Sequence, residues 1–95
     1  MSACVIVDIE VADLAGYEAY KHIAPPALIL YGSKYLARGG LNETREGDWQ
    51  TQRLVIQEFK SIEWAKAWLN SPEYAPARAM LLKFAKSKMT VVEGA

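Results

Sequence analysis

QRLVIQEF (residues 52–59), continued by KSIEWAKAWL (residues 60–69), is the stretch that decides the fold. Side chains alternate along its first half, Val55 and Phe59 pointing one way and Leu54 and Ile56 the other, so it reads as a strand with apolar residues on both faces. Ser61 is a good cap for a following helix, because its hydroxyl can accept from an otherwise unpaired backbone N–H in the first turn. Trp64, Ala65, Trp68 and Leu69 then share one apolar stripe at helical spacing. Asn70-Ser71-Pro72 breaks that stripe. With Ser71 as cap, Pro72 at the first helical position and Glu73 in the first turn, the helix restarts and carries Tyr74, Ala77, Arg78 and Leu81 on one side.

The same reading extends in both directions. Ala3 to Val11 is a first strand, with Ala3, Val5, Val7, Ile9 and Val11 on one face and Cys4, Ile6, Asp8 and Glu10 on the other. Asp13 can cap a helix beginning at Leu14, whose buried stripe is Tyr17, Tyr20, Ala24 and Leu28. Pro25 and Pro26 lack a backbone donor, which predicts a kink or a restart before Leu30. Lys34 to Arg38 is a second strand closed by Gly39-Gly40, and Ser87 to Glu93 is the last. The polar segment between, residues 41–51, is long for a hairpin and reads either as a flap over a cavity or as a loose tip.

The resulting order, β-α-β-β-α-β, specifies an α+β domain of ferredoxin-like type: a four-stranded antiparallel sheet with two helices on one face. Residues 1–95 form one such domain, since a chain of this length has room for a single core. The face without helices carries Leu54, Ile56 and the even positions of the first strand, an apolar surface that a second copy can cover through a two-fold contact. A homodimer paired through its sheets is therefore expected.

Composition narrows the function classes. Eleven basic residues balance 11 acidic ones, so the surplus of Lys and Arg that a nucleic-acid binder needs is missing. No apolar run is long enough to span a bilayer and the first residues lack a signal-peptide pattern, which makes the cytoplasm the expected location, with no membrane partner. Cys4 is the only cysteine, and its place in a Val/Ile run reads as a small buried hydrophobe. With one histidine, His22, and no zinc or phosphate-loop spacing, the sequence predicts neither a metal nor a cofactor. His22 itself lies off the apolar stripe and reads as a solvent-exposed side chain, with a pocket acid/base or a haem ligand as the alternatives.

Tyr17, Tyr20, His22, Arg38, Arg53, Glu58, Tyr74 and Arg78 are polar residues that cannot easily all lie at the surface. Glu58 shares a strand face with Leu54 and Ile56, where it is either a semi-buried general base beside Arg38 or Arg53, or a carboxylate paired with a neighbouring arginine. Trp64 and Trp68 either pack a helix on the sheet or line a ligand pocket.

Tyr17-x-x-Tyr20, Lys34-Tyr35-Leu36-Ala37-Arg38-Gly39-Gly40, Glu58-Phe59-x-Ser61, Ala65-x-x-Trp68-x-x-Ser71-Pro72-Glu73-Tyr74, Arg78 and the closing Val92-Glu93-Gly94 together resemble the domain-of-unknown-function 1330 family over nearly the whole chain. The chain departs from that pattern at Gly32-Ser33 and at Lys60, both turn positions. The resemblance implies a dimeric α/β barrel of ferredoxin-like subunits. It implies no established reaction. Carried over by position, it marks Tyr20, Arg38, Glu58, Trp68, Tyr74 and Arg78 as the residues of any site, and His22 is outside it. Similar dimeric barrels include antibiotic-biosynthesis-type monooxygenases and muconolactone isomerases. That analogy predicts proton abstraction by Glu58 with Arg38 holding the anion, and Tyr20, Trp68, Tyr74 and Arg78 binding a small ligand without a cofactor. The opposing expectation is a non-catalytic dimer in which these residues are structural.

Overall fold

The computed structural model describes residues 1–95. Seven elements follow in order: β1 (Ala3–Val11), α1 (Leu14–Leu30), β2 (Lys34–Arg38), β3 (Arg53–Phe59), α2 (Ile62–Leu69), α3 (Ala75–Phe84) and β4 (Ala85–Glu93). The strands form one antiparallel sheet in the order β2-β3-β1-β4. This is the ferredoxin-like arrangement, with three helices in place of two. The chain leaves the helix after Leu69 because Ser71 Oγ donates to Trp68 O (2.7 Å) and accepts from Tyr74 N (3.1 Å), making a separate turn. Pro72 falls in that turn, and Pro76 occupies the first helical turn of α3 instead.

Alternation places the core on the helix-covered face. Val5, Val7, Ile9, Val55 and Phe59 are buried there against Tyr17, Tyr20, Ala24 and Leu28 of α1, Ala65 and Trp68 of α2, and Ala77 and Leu81 of α3. Trp64 is 42% exposed and lies outside this core, against Tyr31 and under the Lys60 ammonium. The ring of Phe84 rests where a Cβ on Gly16 would stand, so α1 and the end of α3 approach closely because residue 16 has no side chain. Cys4 is half-buried on the other sheet face, not in the core, because the strand period of two gives it the phase of Ile6. With Leu54, Ile56 and the half-exposed Val92, it makes that face apolar and open.

Helix α1 runs without a break through Pro25 and Pro26, where a kink or restart was expected. Pro25 cannot donate to Lys21 O, four residues earlier. The freed carbonyl accepts from Arg38 Nη2 on β2 at 2.9 Å. A neighbouring strand thus replaces the missing intrahelical bond, and the helix continues.

The 41–51 segment has no regular structure of its own. It is tied to the sheet by Asp8, which accepts from Trp49 Nε1 (3.3 Å) and from the backbone N–H of Gln52 (3.0 Å). Trp49 remains 57% exposed.

Candidate functional site

Tyr20, Trp68 and Tyr74 come together in the core although they lie on α1, α2 and the turn before α3. The Tyr20 and Tyr74 hydroxyls hydrogen-bond to each other at 3.0 Å, and the Tyr74 ring lies 4.2 Å from that of Trp68. Trp68 in turn packs on Phe59 at 5.3 Å. Tyr74 is fully buried and Tyr20 nearly so. Loss of hydration pushes both phenols above their usual range, because the phenolate has no water to stabilise it. They stay protonated at neutral pH and act only as hydrogen-bond partners or proton donors.

Tyr74 also lines a groove of about 300 Å³ between α3 and β4. Leu69, Leu81, Met89 and Val91 supply its apolar wall, and Arg78 is its only charged residue. Arg78 Nη1 donates to Leu69 O at 3.2 Å, which leaves most of the guanidinium fork unengaged. No carboxylate pairs with it. Because β4 is an edge strand, half of its backbone N–H and C=O groups face away from the sheet beside this groove. The groove combines apolar walls with a few convergent polar groups, the usual make-up of a small-molecule site.

Glu58 and Arg38 are not brought together. Lys34 pairs with Glu58 and Tyr35 with Gln57, but Ala37, not Leu36, stands opposite Ile56, so Leu36 is an extra residue in β2. In an uninterrupted register Arg38 would face Leu54, on the side of the sheet that carries Glu58. The bulge reverses the phase, and Arg38 stands opposite Val55 on the helix-covered side. Glu58 instead meets Lys34 at 3.5 Å on the open side. It pairs with a lysine of the neighbouring strand, where an arginine had been the expected structural partner.

Arg38 lies at the edge of a cavity of about 20 Å³ between α1 and the sheet, and Arg53 Nη2 reaches the Arg38 carbonyl at 3.5 Å without lining that cavity itself. Arg53 Nε donates to Tyr17 Oη (2.8 Å), and the Arg38 guanidinium stacks 4.5 Å from the Tyr35 ring centre. Burial raises Tyr35 as well, against the opposing pull of Arg38. Gln57, on the same phase as Val55 and Phe59, lines this cavity; it is 4% exposed and its Oε1 has no partner. Trp68 Nε1 is likewise buried and unpaired. Gln57 was missed from sequence, although a glutamine in the buried phase of a strand is itself a signal of an internal polar site. His22 is exposed, and no group of three or more His, Cys, Asp or Glu is placed to hold a metal ion.

Residues 2–95 match the family described as Domain of unknown function (DUF1330). The chain belongs to DUF1330. Solved structures share the fold at low sequence identity. A protein of unknown function from Rhodopseudomonas palustris superposes with a TM-score of 0.77 at 16% identity, covering 99% of the DUF1330 chain and 82% of its own. SnoaB, a cofactor-independent oxygenase from Streptomyces nogalater, gives 0.65 at 11% identity, with 99% and 93% covered. A dimeric protein of unknown function and ferredoxin-like fold from Bacteroides fragilis gives 0.66 at 16%, with 98% and 96% covered. No curated protein sequence matches this DUF1330 chain. None of its helices is long and apolar enough to cross a membrane.

Proposed function

We propose that the protein is a homodimer, closed over its open sheet face, that binds a small organic molecule with an apolar body and one anionic group in the groove between α3 and β4. The observation that carries this reading is Arg78, without a carboxylate partner, in a largely apolar groove of about 300 Å³ that Tyr74 also lines. A lone guanidinium there favours an anion through paired N–H donors, and the aliphatic wall favours a ligand with a hydrocarbon or aromatic part. Tyr20 and Trp68 hold Tyr74 in place from behind. The dimer is supported by the half-exposed Cys4, Ile6, Leu54 and Ile56 on the open face and by the dimeric fold relative from Bacteroides fragilis.

The likeness to a cofactor-independent oxygenase supports an enzymatic version of the same site. In that version Arg78 holds the ligand's anionic group and Glu58 takes no part, since Glu58 stands on the opposite sheet face from both Arg38 and the groove. Binding is tested by thermal shift and calorimetry with benzoate and octanoate as probes. Arg78→Gln is expected to weaken the better probe about tenfold, the loss of a charged hydrogen-bond pair. Equal affinity in wild type and Arg78→Gln overturns the assignment.

A further inference from the structure

The groove leaves Arg38, Arg53 and Gln57 unused, and these three form a corner of their own toward the opposite, β2 edge of the sheet. Arg53 is held in a built position: its Nε donates to Tyr17 Oη at 2.8 Å, its Nη2 reaches Arg38 O at 3.5 Å, and its guanidinium occupies the space a Cβ on Gly39 would fill. Gly39 also has φ of +72°, a left-handed conformation that side chains other than glycine rarely take. Arg38 is fixed by the Lys21 carbonyl that Pro25 cannot serve and by the Tyr35 ring. Neither arginine meets a carboxylate, and the only one on α1, Glu18, is engaged by Lys21 at 2.9 Å. Two arginines without a paired carboxylate therefore share this corner, with Glu18 near enough that, beside its Lys21 hydrogen bond, the Arg53 charge helps to lower its carboxyl. The cavity of about 20 Å³ that Arg38 lines has room for a single oxygen-sized group, and Gln57, whose buried Oε1 is unpaired, is among its lining residues.

The geometry points to a binding site for a short 2-hydroxycarboxylate, the carboxylate held by Arg38 and Arg53 and the adjacent hydroxyl donating inward to Gln57 Oε1. Two needs are met by one ligand. The cations lack a paired carboxylate, and the buried acceptor in the cavity that Arg38 lines lacks a donor. A plain carboxylate satisfies the first alone.

The experiment is an NMR titration of the full chain at low ionic strength with glycolate and, separately, acetate, following backbone amides and arginine Nε resonances. Glycolate is expected to give saturable shifts at Arg38, Arg53 and Gly39 and to bind about fivefold or more tightly than acetate, the worth of one hydrogen bond to a buried acceptor. Gln57→Met, close to glutamine in volume, is expected to erase the difference between the two anions. Arg53→Gln is expected to weaken both about tenfold. Arg38→Lys keeps a donor for Lys21 O while losing the fork, and serves where other changes at residue 38 do not fold. Arg45→Gln removes one charge from the 41–51 segment, away from this corner, and controls for general screening. Equal binding of glycolate and acetate, shifts confined to the Arg78 groove, or an Arg45→Gln loss as large as that of Arg53→Gln overturns the proposal. Loss of the groove ligand in Arg78→Gln leaves this result untouched, so the two sites succeed or fail separately.

Discussion

Replacing Tyr20 by Phe removes one end of the hydroxyl pair that joins α1 to the turn before α3. The partner, Tyr74, is fully buried, so its hydroxyl cannot turn to water. A buried group left unsatisfied costs about 1–3 kcal/mol, and the mirror change Tyr74→Phe strands Tyr20 with a similar penalty. Replacing both tyrosines removes donor and acceptor together, which leaves no orphan and costs roughly 1 kcal/mol or less. The double-mutant cycle is thus expected to show a coupling of at least about 1 kcal/mol, with the double variant more stable than the sum of the singles predicts. Urea unfolding at fixed protein concentration reads this as midpoint shifts at constant slope. In thermal scans the single variants are expected to lose about 4–8 °C per kcal/mol for a domain of this size. A double variant whose loss equals the sum of the single losses would refute the reasoning, since it would mean that the two hydroxyls act independently.

Alkaline pH acts on the same pair. Because burial raises Tyr20 and Tyr74 above the ordinary phenol value, the fold keeps their protons while the unfolded chain releases them from about pH 10. Stability is therefore intact below that pH and falls as pH rises above it, by up to about 1.4 kcal/mol per pH unit for each phenol, and the double Phe variant is expected to flatten the decline in pH-dependent urea midpoints. Arg38→Met is expected to destabilise the wild type by about 1 kcal/mol but to have little effect beside Pro25→Ala, whose new N–H can serve Lys21 O; equal losses in both backgrounds, measured by denaturation, would break the link between proline and arginine. Ile56→Glu places a charge at the centre of the open sheet face and is expected to convert the dimer to a folded monomer in analytical ultracentrifugation, with an unchanged dimer ruling out that face as the interface.

Much of the fold was legible because it rests on two periods. The alternation in Ala3–Val11 and in the strand ending at Phe59, and the stripe Tyr17, Tyr20, Ala24, Leu28, name the core without coordinates, since burial on one face imposes those spacings on any chain that folds this way. Helix ends were readable at Asp13 and Ser61, whose side chains accept from Gly16 N and Trp64 N as their chemistry suggests. The site was legible only in part. Tyr20, Trp68 and Tyr74 do meet, and Arg78 lines the groove beside Tyr74, but their adjacency arises from packing between elements far apart in sequence.

What the sequence alone determined is which residues belong to strands and helices and which stripe of each is apolar, because local propensity and periodicity are properties of neighbours along the chain. Which side of the sheet Arg38 takes was decided only in three dimensions. One extra residue at Leu36 reverses the alternation after it, and whether a strand absorbs that residue depends on its pairing with β3 and on the bare carbonyl of Lys21 awaiting a donor. A single-residue bulge, invisible to a count of alternating side chains, parts Arg38 from Glu58 and sets it beside Arg53 instead.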